Sequence, residues 1–391
     1  MLLPTIMPYF GVLMLQRKVI IMGSSHELYT RVWTTLHQFH PTLHARRLAT
    51  WAWVIVGLLH ARSVHLSAVA LHLASDAEAA GRIARIRRWL ANPWLDTQFL
   101  YRPLITHVLT AWRNRDITIM IDGCYVNHDK LQMVRLSLSH CYRAIPLAWQ
   151  VMSHHGNVSV ESCQRMLNRV QQLLIGTRRV TFLADRGFRD WAWAASCQRR
   201  GWDYIIRIAN TTTIRWDDGP WMAINTMAVK PGKSVYLRNV LLTQDGEWRC
   251  TIAITWTRAT KTKPAERCAV ITNREPSKWI LNHYLRRMHI EESFRDDKSG
   301  GFDLDASRLR DPQRLDRLLL AIAVATLWMY ELGERVLKDE QRAHVDPGYQ
   351  RQLSVFQLGW RWLRRALSLA DIPKWNLTLH PFQPERVAAK C

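Results

Sequence analysis

Tyr284, Arg287, Glu291 and Lys298 stand at intervals that carry chemistry. They fall in Leu281–Gly301, a segment suited to a helix until Gly300 and Gly301 stop it. At about 100° per residue, with Tyr284 at zero, Arg287 lies near 300°, Glu291 near 340° and Lys298 near 320°. One phenol, two cations and one carboxylate then share a stripe roughly 60° wide, while Glu292 points about 100° away from Glu291. Such a stripe suits a carboxylate that holds a metal ion between cations that hold phosphate. The same spacing also fits a solvated helix face laced with salt bridges.

Two further carboxylates precede the stripe in the chain. Ile117, Ile119 and Ile121 alternate with Thr118 and Met120 as in a strand that ends at Asp122-Gly123, and Arg179–Ala184 reads as a second strand ending at Asp185. Open α/β sheets bind ligands at the carboxyl ends of their strands. Taken singly, an Asp at a strand end also serves as a turn or cap residue. Asp122, Asp185 and Glu291 together would supply three oxygen donors to hard cations.

Tyr-x-x-Arg-x-x-x-Glu-x-x-x-x-x-x-Lys, here Tyr284, Arg287, Glu291 and Lys298, resembles the signature of the IS4 family of bacterial DDE transposases, nearest to its IS10-like members. Asp185-Arg186-Gly187-Phe188, with Gly201-Trp202-Asp203-Tyr204 and Arg207 downstream, resembles the region of the family's second aspartate. Asp122-Gly123-Cys124 is less typical of the region after the first. The resemblance implies Asp122, Asp185 and Glu291 as the catalytic and metal-binding triad, holding two Mg²⁺ ions for which Mn²⁺ can substitute. It implies DNA-phosphate contacts for Tyr284, Arg287 and Lys298. The activity implied is cleavage at transposon ends, then strand transfer to target DNA by the freed 3′-OH. Two alternatives stay open: a catalytically decayed DNA-binding derivative, and a metal-dependent endonuclease without strand transfer.

Composition agrees with a polyanion partner. A formal charge of +22 over 391 residues points to nucleic acid before other ligands. The seven cysteines are scattered with no Cys-x-x-Cys pair, which fits reduced residues in a cytosolic protein and excludes a zinc ribbon or a disulfide framework. The longest apolar runs, Leu48–His60 and Leu318–Tyr330, are too short to span a bilayer, so no membrane partner is expected. With the resemblance, the expected setting is the bacterial cytoplasm in association with the nucleoid, and the expected partners are double-stranded DNA and further copies of the chain in a synaptic complex.

The elements that must position these residues read as an α/β chain. Residues 24–115 are expected to form a helical DNA-binding domain, with helices at His26–Phe39, Ala45–Leu59, Ser67–Leu73 and Ala77–Leu90. The last carries Arg82, Arg85, Arg87 and Arg88; it fits a helix-turn-helix unit or a basic surface helix packed on the core. Arg85–Asn92 is similar to a run in the DNA-binding domain of the resembled family, which assigns those arginines to DNA. Strands at 116–122, 132–140 and 144–151, a helix at 159–175, a strand at 179–184, a helix at 191–200 and a strand at 202–208 follow the order of an RNase H-like catalytic core over 116–335. Residues 209–276 read as a β-rich insertion, its last strand a candidate to rejoin the central sheet, with Lys261-Thr262-Lys263 as a basic edge loop. Residues 336–391 are expected to form a helical C-terminal region. Met1–Met22 reads as a leader or an over-extended start.

Overall fold

Runs of β-branched and aliphatic residues build a sheet of ten strands. The computed structural model describes residues 8–153, 158–188, 191–242, 248–256, 259 and 264–381. The strands are β1 (Asp116–Val126), β2 (Leu131–His140), β3 (Arg143–Met152), β4 (Arg179–Ala184), β5 (Asp203–Ile208), β6 (Thr213–Arg215), β7 (Met222–Ala223), β8 (Ser234–Leu242), β9 (Trp248–Trp256) and β10 (Arg267–Thr272). Their order across the sheet is β3-β2-β1-β4-β5-β10-β9-β8-β6-β7. β1, β4 and β5 run parallel, and β10 returns antiparallel against β5.

Central parallel strands are covered on both faces and so read as continuous apolar runs. Ile117, Ile119, Met120 and Ile121 are all buried, although alternation alone suggests one wet face. The insertion strands continue the sheet itself: β10 pairs with both β5 and β9, so the last strand of the insertion does rejoin the centre. The basic loop at 261–263 lies outside the described residues.

The helices are α1 (Pro8–Phe39), α2 (Ala45–Ala61), α3 (Leu66–Ala70), α4 (Ala79–Ala91), α5 (Thr97–Leu109), α6 (Val160–Leu173), α7 (Trp191–Arg199), α8 (Lys278–Tyr284), α9 (Met288–Asp297), α10 (Pro312–Lys338) and α11 (Val355–Ser368). Of the leader read at Met1–Met22, residues 1–7 lie outside the described residues, and α1 begins at Pro8.

The chain divides into two compact units. One comprises 1–111, 126–131 and 295–391; the other comprises 112–125 and 132–294. The first is helical and is centred on α10, which starts at an Asp311 cap followed by Pro312, a strong helix-start signal. α10 and α11 approach so closely that a Cβ on Gly333 would lie 1.9 Å from Val355 O, and one on Gly359 1.9 Å from Met329 O. Only glycine permits that crossing.

Glu331 and Glu334 are buried on α10 and hold the chain after α11. Glu331 accepts from the backbone N–H of Asn376 and Thr378, and Glu334 accepts from that of His380. Burial pushes the Glu331 carboxyl up from its ordinary 4.5 to about 7, against the pull of the Asn376 N–H and Arg335. A raised folded pKa means the folded state keeps a proton that the unfolded state releases, so this group's contribution is fullest below about pH 4.5 and is lost as pH rises through about 7. Glu331→Gln removes the titration. Denaturant melts should show its stability deficit relative to wild type shrinking between pH 5 and pH 8; a deficit constant with pH would refute the assignment.

Candidate active site

Parallel pairing of β1 with β4 is in register from Asp116↔Arg179 to Ile121↔Ala184. The next residue on each strand is an aspartate, Asp122 or Asp185. Asp122 is not at the strand end that Gly123 suggests, because β1 continues to Val126 beside β2. It stands where the parallel ladder stops, and Asp185 stands where β4 stops.

The segment that carries Glu291 is not one helix. A 3₁₀ turn at Leu285–Arg287 separates α8 from α9. In a 3₁₀ turn residues i and i+3 eclipse, so Tyr284 and Arg287 stay on one face despite the break. Glu291 follows Arg287 at i+4 within α9 and completes the face. Side-chain anchors fix this arm against the sheet. Thr118 Oγ1 lies 2.8 Å from His283 Nε2, Ser139 Oγ lies 2.8 Å from His289 Nδ1, and Ala144 N donates to Ser293 Oγ at 2.7 Å.

Arg287 joins the acidic groups. Its guanidinium donates to Asp122 Oδ2 at 2.9 Å and to Glu291 Oε1. Tyr284 OH donates to Asp185 Oδ1 at 3.4 Å, and Arg207 Nη1 stands 3.9 Å from the same oxygen. Glu292 faces elsewhere, 3.7 Å from Arg143, as the helical angle requires. The carboxylates differ in exposure: the Asp122 side chain is 17% exposed, Asp185 29% and Glu291 40%. The site therefore opens on the Glu291 side.

Electrostatics reflects the crowding. Burial pushes the Asp122 carboxyl up to about 6; Glu291 and Asp185 add to the rise, while Arg287 and the Gly123 N–H oppose it. Burial would lower the Arg287 pKa, but Tyr284, Asp122, Glu291 and Asp185 outweigh it and the guanidinium is held above its ordinary value. Burial also raises the Tyr284 phenol, which stays protonated and able to donate. Three carboxylates supply hard oxygen donors of the kind a divalent ion takes, although Arg287 bridges two of them here and the three do not close into one ligand cluster.

The other residues singled out in the sequence are placed differently. Lys298 lies just past the end of α9, with Nζ 3.9 Å from Asp305 Oδ2. On α4, Arg82 donates to Ser75 O and Ala77 O, and Arg85 Nε donates to Thr50 Oγ1 at 3.1 Å. Those two guanidiniums are engaged by the protein, while Arg87 and Arg88 are exposed. Sequence reasoning gave no role to Arg207, His283, His289 or Ser293. Arg207 on β5 had two visible signals: its place in the run that resembles the second-aspartate region, and its charge inside the apolar strand Asp203–Ile208.

Residues 147–328 match the family described as Transposase DDE domain. The match covers Asp185, Arg287 and Glu291 and begins after Asp122. No curated protein matches the chain. The similarity supports a DDE transposase, an enzyme class, and implies DNA as its substrate. No described helix is long and apolar enough to cross a membrane.

Arg287→Ala would leave Asp122 and Glu291 without their shared counter-ion. Breaking a buried pair costs about 3–5 kcal/mol. Denaturation in EDTA should show a loss of about that size, and added Mg²⁺ should recover more stability in the variant than in wild type. An equal loss with and without Mg²⁺ would show that Arg287 serves packing alone.

Proposed function

We propose that the chain is a cut-and-paste DNA transposase of the IS4 family with an RNase H-like core, using Asp122, Asp185 and Glu291 as its catalytic triad. One observation carries the reading: Arg287 bridges Asp122 and Glu291, with Asp185 near enough to raise the Asp122 carboxyl, inside a sheet-and-helix frame that overlaps the transposase DDE match. The proposed division is a helical DNA-binding domain over 24–115, the catalytic domain with its insertion over 116–335, and a helical C-terminal region over 336–391. Two copies would assemble on two ends.

Asp122, Asp185 and Glu291 would hold the Mg²⁺ or Mn²⁺ ions. When bound there, such cations would supply activation of an attacking oxygen and stabilisation of a leaving one in phosphodiester displacement. The chain's own groups position the strand. Arg287 has five N–H donors and directs three to Asp122, Glu291 and Met288 Sδ, which leaves two for a phosphate oxygen in this reading. The Tyr284 hydroxyl steadies Asp185, and Arg207 balances its charge from β5. Lys298 adds a further phosphate contact in this reading.

The test is incubation with duplex DNA flanking the chain's own gene in Mg²⁺. Cut ends followed by joining to a target are expected. Cutting without joining would make the protein an endonuclease, and binding without cutting would make it a decayed derivative. Glu291→Gln should lower cleavage by several orders of magnitude while retaining DNA binding. Glu292→Gln should stay within about tenfold of wild type, since it lies about 100° around the helix from Glu291. Equal loss in both variants, with both folded and DNA-bound, would require another metal carboxylate.

A further inference from the structure

Arg87 does not face open solvent alone. With His65, Ser67, Arg308 and Arg314 it lines a cleft of about 320 Å³ between the α3–α4 region and residues 306–314, all within the helical unit. Leu66 and Leu90 form part of an apolar floor, and no carboxylate lines the cleft. Arg314 has a partner in Asp311 at 3.6 Å. Among the described residues neither Arg87 nor Arg308 has an ion-pair or hydrogen-bond partner.

The backbone beneath Arg308 is unusual. Arg308 sits at φ 52° and ψ 17°, in the left-handed region that disfavours any residue with a Cβ. A buried polar network holds it there. Asn127 Nδ2 donates to Leu309 O at 2.6 Å, Ser307 Oγ donates to Asn127 Oδ1 at 3.0 Å, and Asn127 N donates to Asp305 Oδ1 at 2.7 Å. Asn127 and Ser307 are 4% and 7% exposed. Backbone strain kept in place by buried partners is a mark of functional segments.

We propose that this cleft is a phosphate-backbone clamp for duplex DNA, gripped by Arg87 from α4 and by Arg308 and Arg314 from the segment after the Glu291 arm. Guanidiniums present several donors to one phosphate, and three converging on a carboxylate-free cleft suit consecutive phosphodiesters. A net charge of +22 favours a polyanion over a free phosphate as the occupant. The clamp would also explain why only part of α4 is available: Arg82 and Arg85 brace the helix, and Arg87 projects into the cleft. The proposal rests on the reading of the chain as a DNA-binding transposase.

The test uses the full chain, a labelled 30-base-pair duplex and a KCl titration followed by anisotropy. Arg87→Ala, Arg308→Gly and Arg314→Ala should each weaken binding by roughly 3–10-fold at low salt and reduce the log–log salt slope by about 0.9 for each phosphate no longer neutralised. Arg308→Gly relieves the left-handed strain, so it should melt no lower than wild type, and Arg308→Lys should keep most of the binding. Arg310→Ala removes the same charge from an exposed residue that does not line the cleft, and should change the slope less. Equal effects of Arg310→Ala and Arg308→Gly would overturn the clamp and leave only diffuse charge. So would unchanged slopes in all three cleft variants, or competition by inorganic phosphate at millimolar concentration as effective as unlabelled duplex. If wild type bound no duplex, or bound RNA in preference, the transposase reading would fall with it. If wild type binds and cuts while the cleft variants match it, only the clamp falls.

Discussion

Three carboxylates brought into one part-buried site repel, and the surrounding unit has to offset that repulsion. Arg287 provides the offset by donating to Asp122 and Glu291 together. Its guanidinium is itself buried, which costs free energy unless the geometry is fixed. The fixing comes from elsewhere on the same arm. His283 meets Thr118, His289 meets Ser139, and Ser293 takes the Ala144 N–H, so the arm is pinned on both sides of Arg287.

Local and long-range information contributed differently to what could be read in advance. Tyr284, Arg287 and Glu291 were legible as one face because helical turns convert sequence spacing directly into direction. The 3₁₀ turn was not legible, yet the shared face survives it, since i and i+3 coincide in that turn as well. The short strand β4 was readable to the residue from a run of β-branched and apolar residues ending at Asp185. The full length of β1 was not, because Gly123 reads as a stop while pairing with β2 carries the strand past it. Asp185 and Arg207 illustrate the limit: their meeting depends on which strands lie side by side, and spacing along one chain does not encode that. Lys298 marks another limit, since the wheel assumed a helix that ends at Asp297.

The arginines of α4 show why composition has to be separated from placement. All four add to the same formal charge, yet Arg82 and Arg85 direct their donors to Ser75, Ala77 and Thr50. A guanidinium engaged with backbone carbonyls still contributes long-range field, but it offers fewer donors to a ligand. The net charge of +22 therefore speaks for attraction to a polyanion and is not a map of contacts.

Arg207 ties the insertion to the acidic site through the sheet. It lies on β5 beside Asp185, and it also donates to Glu266, the residue immediately before β10. β10 is held to β5 over Ala269↔Ile208 through Thr272↔Ile205 and to β9 over six residue pairs. A displacement of the insertion that shifted β10 would move Glu266 against Arg207 and so alter the positive charge next to Asp185. Through Glu266 and Arg207 the last strand of the insertion is thus linked to Asp185, although no residue of the carboxylate triad comes from the insertion.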